Sequence, residues 1–433
     1  MTQSILLNKI INNQVKIGIV GLGYVGLPLF LNFLKSNFFV VGFDKNKKYL
    51  NNIRKNKNII GKLDTSILKK KKSKYFFTNK VSHLKKCDVI IVCLPTPIYK
   101  NNTPDLRIIN NFFFSLKKVF KENQLLVIES TIYPGVIEKY LLTKINKDLK
   151  IGKNFFIGFS PEREDPGNKN FNLYNIPKVC SGQTKSCLKL TISLYKKIVK
   201  KVVVEKNIET AQVSKLFENI YRNVNIALVN ELKLICKNAN ISVNDVLKLA
   251  STKPFGFKKF DPGPGVGGHC IPIDPFYFSY FAKTKGMASK FVYLSAKINK
   301  SVPKWIVNEI NLFVKKKKLK LKKILIIGIS YKKNTEDLRE SPSLIIMNLL
   351  KEVFNCKIDY YDPFVRKLPI TRINKIKINS VNLKKIKLNK YDLVIISTDH
   401  DKIDYKKILT QSKLIVDLRN KYKNFNLKKI IKL

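Results

Sequence analysis

The chain lacks any apolar run near the ~18 to 20 residues that a membrane helix needs, and Met1 to Gln14 lacks the apolar core and small-residue cleavage site of a secretory leader. A cytoplasmic protein with no membrane insertion is therefore expected. Cysteine is sparse and unpaired in pattern: Cys87, Cys93, Cys180, Cys187, Cys236, Cys270 and Cys356 are odd in number, scattered and never in a CxxC arrangement. That argues against a disulfide framework and a zinc cage. The 3 histidines are isolated as well, so reduced thiols and no metal are expected. Acidic residues are few, 30 Asp and Glu against 83 Lys and Arg, for a formal charge of +53. Arginine is also scarce beside lysine. A nucleic-acid-binding face would concentrate charge and use Arg with interleaved aromatics, whereas here lysines are sprinkled along every segment. Biased composition explains the charge, with salt-sensitive adhesion to polyanions as a by-product and anionic substrates favoured. No specific nucleic-acid partner is expected.

What is present begins with size: 433 residues at 45% hydrophobic content are enough for two to three domains. Val15 to Val20 is a short β-branched run that leads into Gly21-Leu22-Gly23-Tyr24-Val25-Gly26, followed by an apolar helix over Leu27 to Leu34. Val40 to Asp44 is a second strand ending in an acid. Alone, GxGxxG is weak; between that strand and helix it signals dinucleotide binding. Gly21 permits the turn, Gly23 lets the pyrophosphate approach, and Gly26 lets helix and strand pack. Asp44 would accept hydrogen bonds from ribose hydroxyls and repel a 2′-phosphate, which selects NAD over NADP.

Further buried parallel-type strands are expected at Cys87 to Leu94, running into Pro95-Thr96-Pro97, at Leu125 to Thr131, and at Phe155 to Phe159. Ligands of open α/β sheets gather at the carboxyl ends of strands, which places Thr96, Ser130 and Thr131 in the cofactor cleft; alternatively their hydroxyls cap the following helices. After Phe159 comes Ser160-Pro161-Glu162-Arg163-Glu164-Asp165, either a solvated turn or a source of a general base. A long helix is expected over Thr210 to Asn238, with Val213, Leu216, Phe217, Ile220, Val224, Ala227, Leu228, Leu232 and Ile235 at three- and four-residue spacing. Lys215 and Asn219 share a face of it, as an oxyanion pair or as a solvated pair. Ser242 to Ala250 and Met287 to Val314 add helices. A second α/β unit starts at Ile324, with strands at Asp359 to Tyr361, Leu393 to Thr398 and Leu414 to Asp417, but lacks a full GxGxxG, so it is expected to bind something other than a second dinucleotide.

The stretch Gly263-Pro264-Gly265-Val266-Gly267-Gly268-His269-Cys270-Ile271-Pro272-Ile273-Asp274-Pro275 is a shaped loop, not a helix or a central strand. Gly267 and Gly268 would let a ligand approach the backbone, N–H groups nearby could bind an oxyanion on carbon bonded to Cys270, and Asp274 could steer a proton or a water. The plainer reading is a turn with an inert cysteine.

Together these features resemble the UDP-glucose/GDP-mannose dehydrogenase family over nearly the whole chain. Its marks are Gly21 to Pro28, Leu94 to Pro97, Glu129 to Gly135, Ser160 to Arg163, Lys215 with Asn219, Gly263 to Pro275, Tyr331 to Pro342 and Val416 to Asn420. Within the family, Thr252 to Phe257, Pro262 to Gly265 and Gly268 to Pro272 look most like bacterial UDP-N-acetylglucosamine 6-dehydrogenases of polysaccharide and O-antigen pathways. UDP-glucose enzymes usually carry Ser where this chain has His269. The resemblance implies two Rossmann-like doubly wound parallel-sheet domains joined by a central helical domain: an NAD-binding domain over 1–204, a helical domain with the cysteine loop over 205–314, and a UDP-sugar-binding domain over 315–433. It implies a four-electron oxidation of the sugar C6 alcohol to a carboxylate through a Cys270 thiohemiacetal and thioester, in a homodimer or higher homo-oligomer. The alternative sugars are those of UDP-glucose and UDP-N-acetylmannosamine.

Residue by residue, Lys215 and Asn219 match the oxyanion pair, Asp274 and Thr131 the water-handling groups, and Glu162 a carboxylate assisting hydrolysis. Glu164 and Asp165 leave open which acid that is. The cofactor would be held by Gly21, Gly23, Tyr24, Val25, Gly26, Asp44, Pro95, Thr96, Ser130, Thr131 and Arg339. The substrate would meet Glu162, Arg163, Lys215, Asn219, Lys253, Phe260, Gly267, Lys332 and Arg419. No arginine lies between Arg222 and Arg339, so an arginine that many relatives send into the neighbouring subunit is missing, with Lys253 as a stand-in. Two other classes compete: a two-electron hydroxyacid-type NAD dehydrogenase, which needs no nucleophilic cysteine, and a basic nucleic-acid-binding protein on a Rossmann scaffold.

Overall fold

A computed structural model describes residues 2–57, 63–164, 171–371, 373–374, 378–425 and 427–433. The chain forms two compact units, Met1–Glu218 with Phe276–Met287, and Asn219–Pro275 with Ala288–Leu433. The first is built on an eight-stranded sheet of β1 (Lys16–Val20), β2 (Phe39–Phe43), β3 (Tyr75–Thr78), β4 (Val89–Val92), β5 (Gln124–Ile128), β6 (Phe155–Phe159), β7 (Lys178–Gly182) and β8 (Val202–Val204), in the order β3-β2-β1-β4-β5-β6-β7-β8. Every pairing is parallel except β6 with β7. Strands such as Val89–Val92 and Gln124–Ile128 are buried at every position, because helices cover both sheet faces and alternation is not needed. Phe30 of the helix Gly26–Lys35 packs 5.0 Å from the Phe77 ring and 5.8 Å from that of Tyr75; burying such a side chain contributes about 2 to 3 kcal/mol.

The strand order reverses between β1 and β4, and the carboxyl ends there form the crevice in which open α/β sheets bind ligands. The strands expected at Val15, Val40, Cys87, Leu125 and Phe155 are all present. β3, β7 and β8 lie in stretches with no strand expected.

The second unit holds a five-stranded, all-parallel sheet of β9 (Lys323–Ile327), β10 (Lys357–Tyr361), β11 (Leu393–Ile396), β12 (Ile415–Asp417) and β13 (Ile430–Lys432), ordered β10-β9-β11-β12-β13. Its reversal falls between β9 and β11. The helices Lys290–Lys316 and Pro342–Phe354 cover one face, where Ile306, Ile310, Leu344 and Met347 meet Ile324, Ile326 and Ile395. Proline opens the helix at Pro342, and Asn355 ends it with a left-handed φ of 42°.

The long helix runs from Ile208 to Asn238. Its apolar residues do not form one buried stripe as the spacing suggested: Leu216, Ile220 and Ala227 are buried, while Phe217, Leu228 and Ile235 are exposed. The face between carries polar residues that are buried, Asn219, Asn223, Asn230 and Lys233. No helix among the described residues is long and apolar enough to cross a membrane.

Candidate active site

Three glycines after β1 are needed for three different reasons. Gly21 has φ +85°, donates its N–H to the Phe43 carbonyl at 2.9 Å, and has no room for a Cβ, which would sit 2.7 Å from the Cys93 carbonyl oxygen. At Gly26 a Cβ would lie 1.9 Å from the Gly21 carbonyl oxygen, so only glycine lets the helix start this close to the strand. At Gly23 a Cβ would meet nothing within 4 Å, leaving open space over the turn. With the helix N-terminus behind it, that cradle fits a dinucleotide pyrophosphate. Tyr24 and Val25 are half-buried in the same turn. Asp44, just past β2, accepts from Leu22 N at 3.1 Å and from Asn46 N at 2.9 Å, which aims the carboxylate and leaves lone pairs for ribose hydroxyls.

Ser130 does not cap a helix. Its hydroxyl accepts from Leu94 N at 2.9 Å and donates to the Val92 carbonyl at 3.2 Å, stitching the end of β5 to β4. Thr96 is buried, Thr131 half-buried and Pro95 exposed.

Beyond β5 and β6 the first unit buries a charge cluster. Lys178, which opens β7 and is 2% exposed, pairs with Glu129 at 3.1 Å and with Glu162 at 2.9 Å. Burial raises the Glu129 carboxyl to about 7, against the pull of Lys178 and of the Tyr195 hydroxyl that donates to it. Burial pushes Glu162 the same way, but Lys178 and the N–H groups of Arg163 and Glu164, both at 2.7 Å, bring it below the ordinary value. Glu162 is therefore the ionised partner. Glu164 is raised to about 7 by burial and by Glu162; Asp165 lies outside the described residues. Arg163 is committed to protein groups: Glu218 accepts from Nη2 at 2.6 Å and Nε at 3.2 Å, and the Pro177 carbonyl accepts from Nη1 at 3.0 Å.

In the second unit the cysteine loop lies along the polar face of the long helix. Asn230 accepts from Gly263 N at 3.1 Å, and Asn223 donates to the Ile271 carbonyl at 3.0 Å. Asn219 donates to the Asp274 carboxylate at 2.6 Å. Asn299 ties the partner helix in, donating to the Asn223 carbonyl and accepting from Asn230, each at 2.9 Å. Pro303 has no N–H for the Asn299 carbonyl, and Gly265, φ +127°, packs there, where a Cβ would be 3.3 Å from that oxygen. Cys270 is half-buried. Its carbonyl accepts from Ile273 N and Asp274 N at 3.0 and 2.8 Å, turning the chain into the helix Asp274–Thr284.

Gly267 and Gly268 make room for protein, not for a ligand. A Cβ on Gly267 would sit 2.4 Å from the Tyr331 Cβ and 3.0 Å from the Glu340 carbonyl oxygen; on Gly268 it would be 3.1 Å from the Tyr331 ring. The Gly268 N–H goes to the Arg339 carbonyl at 2.8 Å, so it is not among the N–H groups open to an oxyanion. Burial and nearby Arg339 lower the His269 imidazole to about 4, so it is neutral at pH 7, and its Nε2 is buried with no hydrogen-bond partner among the described residues.

Of the other expected residues, Lys215 is half-buried one turn before Asn219 on the helix. Lys253 is exposed above the Phe255 ring at 4.9 Å, and Phe260 stands edge-on to Tyr221 at 6.1 Å. Lys332 is half-buried. Arg339 holds Asp337 through Nε and Nη2 at 3.0 and 2.7 Å. Arg419 donates from Nε to the Ser397 carbonyl at 2.7 Å. Sequence reasoning missed Lys178, Tyr195, Asn223, Asn230 and Lys233. The available signal was polar side chains recurring on one helix face, and a lysine at the head of an apolar strand.

The chain matches the UDP-glucose/GDP-mannose dehydrogenase family in three consecutive domains: the NAD binding domain over residues 15–199, the central domain over 209–301 and the UDP binding domain over 325–424. It is 36% identical over 357 residues to the UDP-N-acetyl-D-glucosamine 6-dehydrogenase of Pseudomonas aeruginosa, covering 81% of this chain and 83% of that protein. To the protein of the same name from Salmonella typhi it is 32% identical over 396 residues, 90% of each. The solved structure of the UDP-D-ManNAc dehydrogenase from Pyrococcus horikoshii aligns with a TM-score of 0.82 at 29% identity, covering 94% of this chain and 95% of that one. The cofactor of the first domain is NAD, and the third is a UDP-sugar domain. Domain matches in unbroken order along a fold whose first crevice fits a dinucleotide make this chain a member of the UDP-glucose/GDP-mannose dehydrogenase family.

Proposed function

We propose that the chain oxidises the C6 hydroxyl of a UDP-N-acetylhexosamine, UDP-N-acetyl-D-glucosamine before UDP-N-acetylmannosamine or UDP-glucose, to the uronic acid for surface polysaccharide or O-antigen synthesis. The loop carries this reading: a thiol held in a fixed turn, with Asn219 aiming the buried Asp274 four residues on at 2.6 Å. The choice of sugar is supported by the 36% and 32% identical relatives of that name.

NAD, bound in the first unit, would accept the hydride of each oxidation. The Cys270 sulfur adds to the C6 aldehyde carbon and the oxygen takes a proton, giving a thiohemiacetal; loss of hydride and proton then gives a thioester. Water adds to that carbon, the C–S bond breaks, and the thiolate leaves the carboxylate. Lys215 and the second amide hydrogen of Asn219 serve the oxyanion. Asp274 and Thr131 handle the water, and Glu162, kept ionised by Lys178, supports hydrolysis. Arg339 serves the cofactor; Arg163, Lys253, Phe260, Gly267, Lys332 and Arg419 serve the substrate, Arg163 and Gly267 by shaping the chain. The domains proposed are 1–204 for NAD, 205–314 for the helices and loop, and 315–433 for the UDP-sugar. A homodimer in the cytoplasm suits the exposed Phe217, Tyr221, Leu228 and Ile235 along the long helix.

Purified protein with NAD and a panel of UDP-sugars should yield two NADH per sugar, and Cys270→Ala should make no uronate. One NADH per sugar, or uronate from the alanine variant at the native rate, refutes the reading.

A further inference from the structure

The turn after β9 repeats the turn after β1. Gly328, φ +78°, donates its N–H to the Tyr361 carbonyl at 2.8 Å as Gly21 does to that of Phe43, and a Cβ on it would sit 2.2 Å from the Thr398 carbonyl oxygen. Asp362, just past β10, accepts from Ile329 N at 2.8 Å as Asp44 accepts from Leu22 N. Here the carboxylate is closed off by protein. It also takes Ser330 N, Phe364 N and Val365 N at 3.2, 2.8 and 3.0 Å. His400, fully buried beyond the end of β11, meets Oδ2 with its Nε2 at 3.0 Å. Nδ1 of the same ring accepts from Asn334 N at 2.9 Å, so the ring proton sits on Nε2 and is donated to Asp362. His400 thus stands where the first crevice leaves lone pairs for a ribose, and protein uses both of its nitrogens.

We propose that His400 is a positioning residue for the thiol chemistry: through Nδ1 it holds the loop 330–334 in the conformation that sets Tyr331 against Gly267 and Gly268, and so places Cys270. This rests on the reaction proposed above. Tyr331 fills the faces of both glycines, with atoms 2.4 and 3.1 Å from where their Cβ would be. The rest of its loop is folded on itself. The Ser330 and Thr335 hydroxyls both donate to the Lys332 carbonyl, at 3.0 and 2.9 Å, and Thr398 donates to the Ser330 carbonyl at 2.6 Å. Asn334 turns the chain with a left-handed φ of 60°, and its side chain exchanges two hydrogen bonds with Asp401, donating to Oδ2 at 2.6 Å and accepting from N at 3.0 Å. Deprived of the imidazole acceptor, the Asn334 N–H must turn outward to water, and the loop with it. A nucleophile displaced by about 1 Å can lose up to about 100-fold in rate.

Two replacements in the full chain separate the acceptor from the bulk of the ring. Asparagine puts an oxygen close to the place of Nδ1 but fills less space, whereas phenylalanine keeps a ring and offers no acceptor. With saturating NAD and the UDP-sugar that native protein turns over fastest, His400→Phe should lower kcat at least about tenfold and His400→Asn by no more than about threefold. Alkylation of Cys270 by iodoacetamide without substrate, read by peptide mapping, reports the loop apart from the reaction. It should quicken several-fold in the phenylalanine variant and stay near native in the asparagine one. An imidazole that only fills space would give the reverse order, or would lower stability in urea and leave kcat intact well below the unfolding midpoint; either result overturns the proposal. Should His400→Phe fail to fold, Asp401→Ala takes its place, since it frees Asn334 from an exposed side chain. Its kcat should fall by about threefold or more, and native kcat with native alkylation overturns the proposal. Native protein that makes no uronate from any UDP-sugar removes the reaction reading, while the order of the alkylation rates still supports or overturns the clamp.

Discussion

Replacing Glu129 by glutamine exchanges one buried carboxylate oxygen for an amide nitrogen and keeps the shape of the β5 terminus. The native carboxyl is raised from 4.5 to about 7 by burial, with Lys178 opposing. Between those two values the folded chain holds a proton that the unfolded chain has released, so stability falls as pH rises through the window. The shift is about 2.5 units, and at about 1.4 kcal/mol per unit the fall is about 3 kcal/mol. Glutamine cannot titrate. Relative to native protein, Glu129→Gln should gain about 3 kcal/mol between pH about 4 and about 8. The loss of one Lys178 hydrogen bond is the same at both ends and cancels. Hydrogen exchange at the β5 and β6 amides reads the first unit alone, which matters because a chain of two units need not unfold in one step. A difference between variant and native that stays constant within about 1 kcal/mol over this range would show that Glu129 is an ordinary ionised partner of Lys178 and refute the reasoning.

Two glycine substitutions test the two halves of the chemistry separately. Gly26→Ala puts a methyl 1.9 Å from the Gly21 carbonyl oxygen, a backbone atom that cannot rotate away, so NAD affinity should drop at least about tenfold in direct titration; native affinity would mean the turn is not the pyrophosphate cradle. Gly267→Ala puts a methyl 2.4 Å from the Tyr331 Cβ, so the second unit should lose about 1 to 3 kcal/mol. Because the clashing atom is that Cβ, adding Tyr331→Ala should restore nothing and adding Tyr331→Gly should restore most of it, measured by urea unfolding; rescue by alanine would contradict the packing.

The parallel strands were legible because strands buried on both faces must be continuous apolar runs, and the turn after β1 because only glycine can meet its three demands at once. β3, β7, β8 and β13 were not: β3, β8 and β13 are buried along only part of their length or not at all, and β7 begins with a lysine. That lysine explains the failure: a charge inside a sheet is tolerated only with partners distant in sequence, here 49 and 16 residues away. The same holds for Asn223, Asn230 and Lys233, which look like solvated helix positions until the loop they hold is in view. For Gly267 the residue type was informative but its cause was not: a missing Cβ reads alike whether it admits a ligand or the Tyr331 side chain.

The loop and the UDP-binding sheet are joined by atoms with little freedom. Gly268 N is bonded to the Arg339 carbonyl, two glycine faces are filled by Tyr331, and the ends of the loop are tied by Asn230 and Asn223 to the long helix. These ties of the loop all lie in the unit that carries the UDP binding domain. On the proposed reaction this has a mechanistic reason. The sulfur stays bonded to C6 from the addition through the second hydride transfer until hydrolysis, and the nucleotide is the part of the substrate farthest from that chemistry. A nucleophile anchored to the domain that binds the nucleotide keeps its distance to C6 while the cofactor is exchanged. On that reading, binding energy at the nucleotide is converted into orientation at carbon, which raises the rate and not merely the affinity.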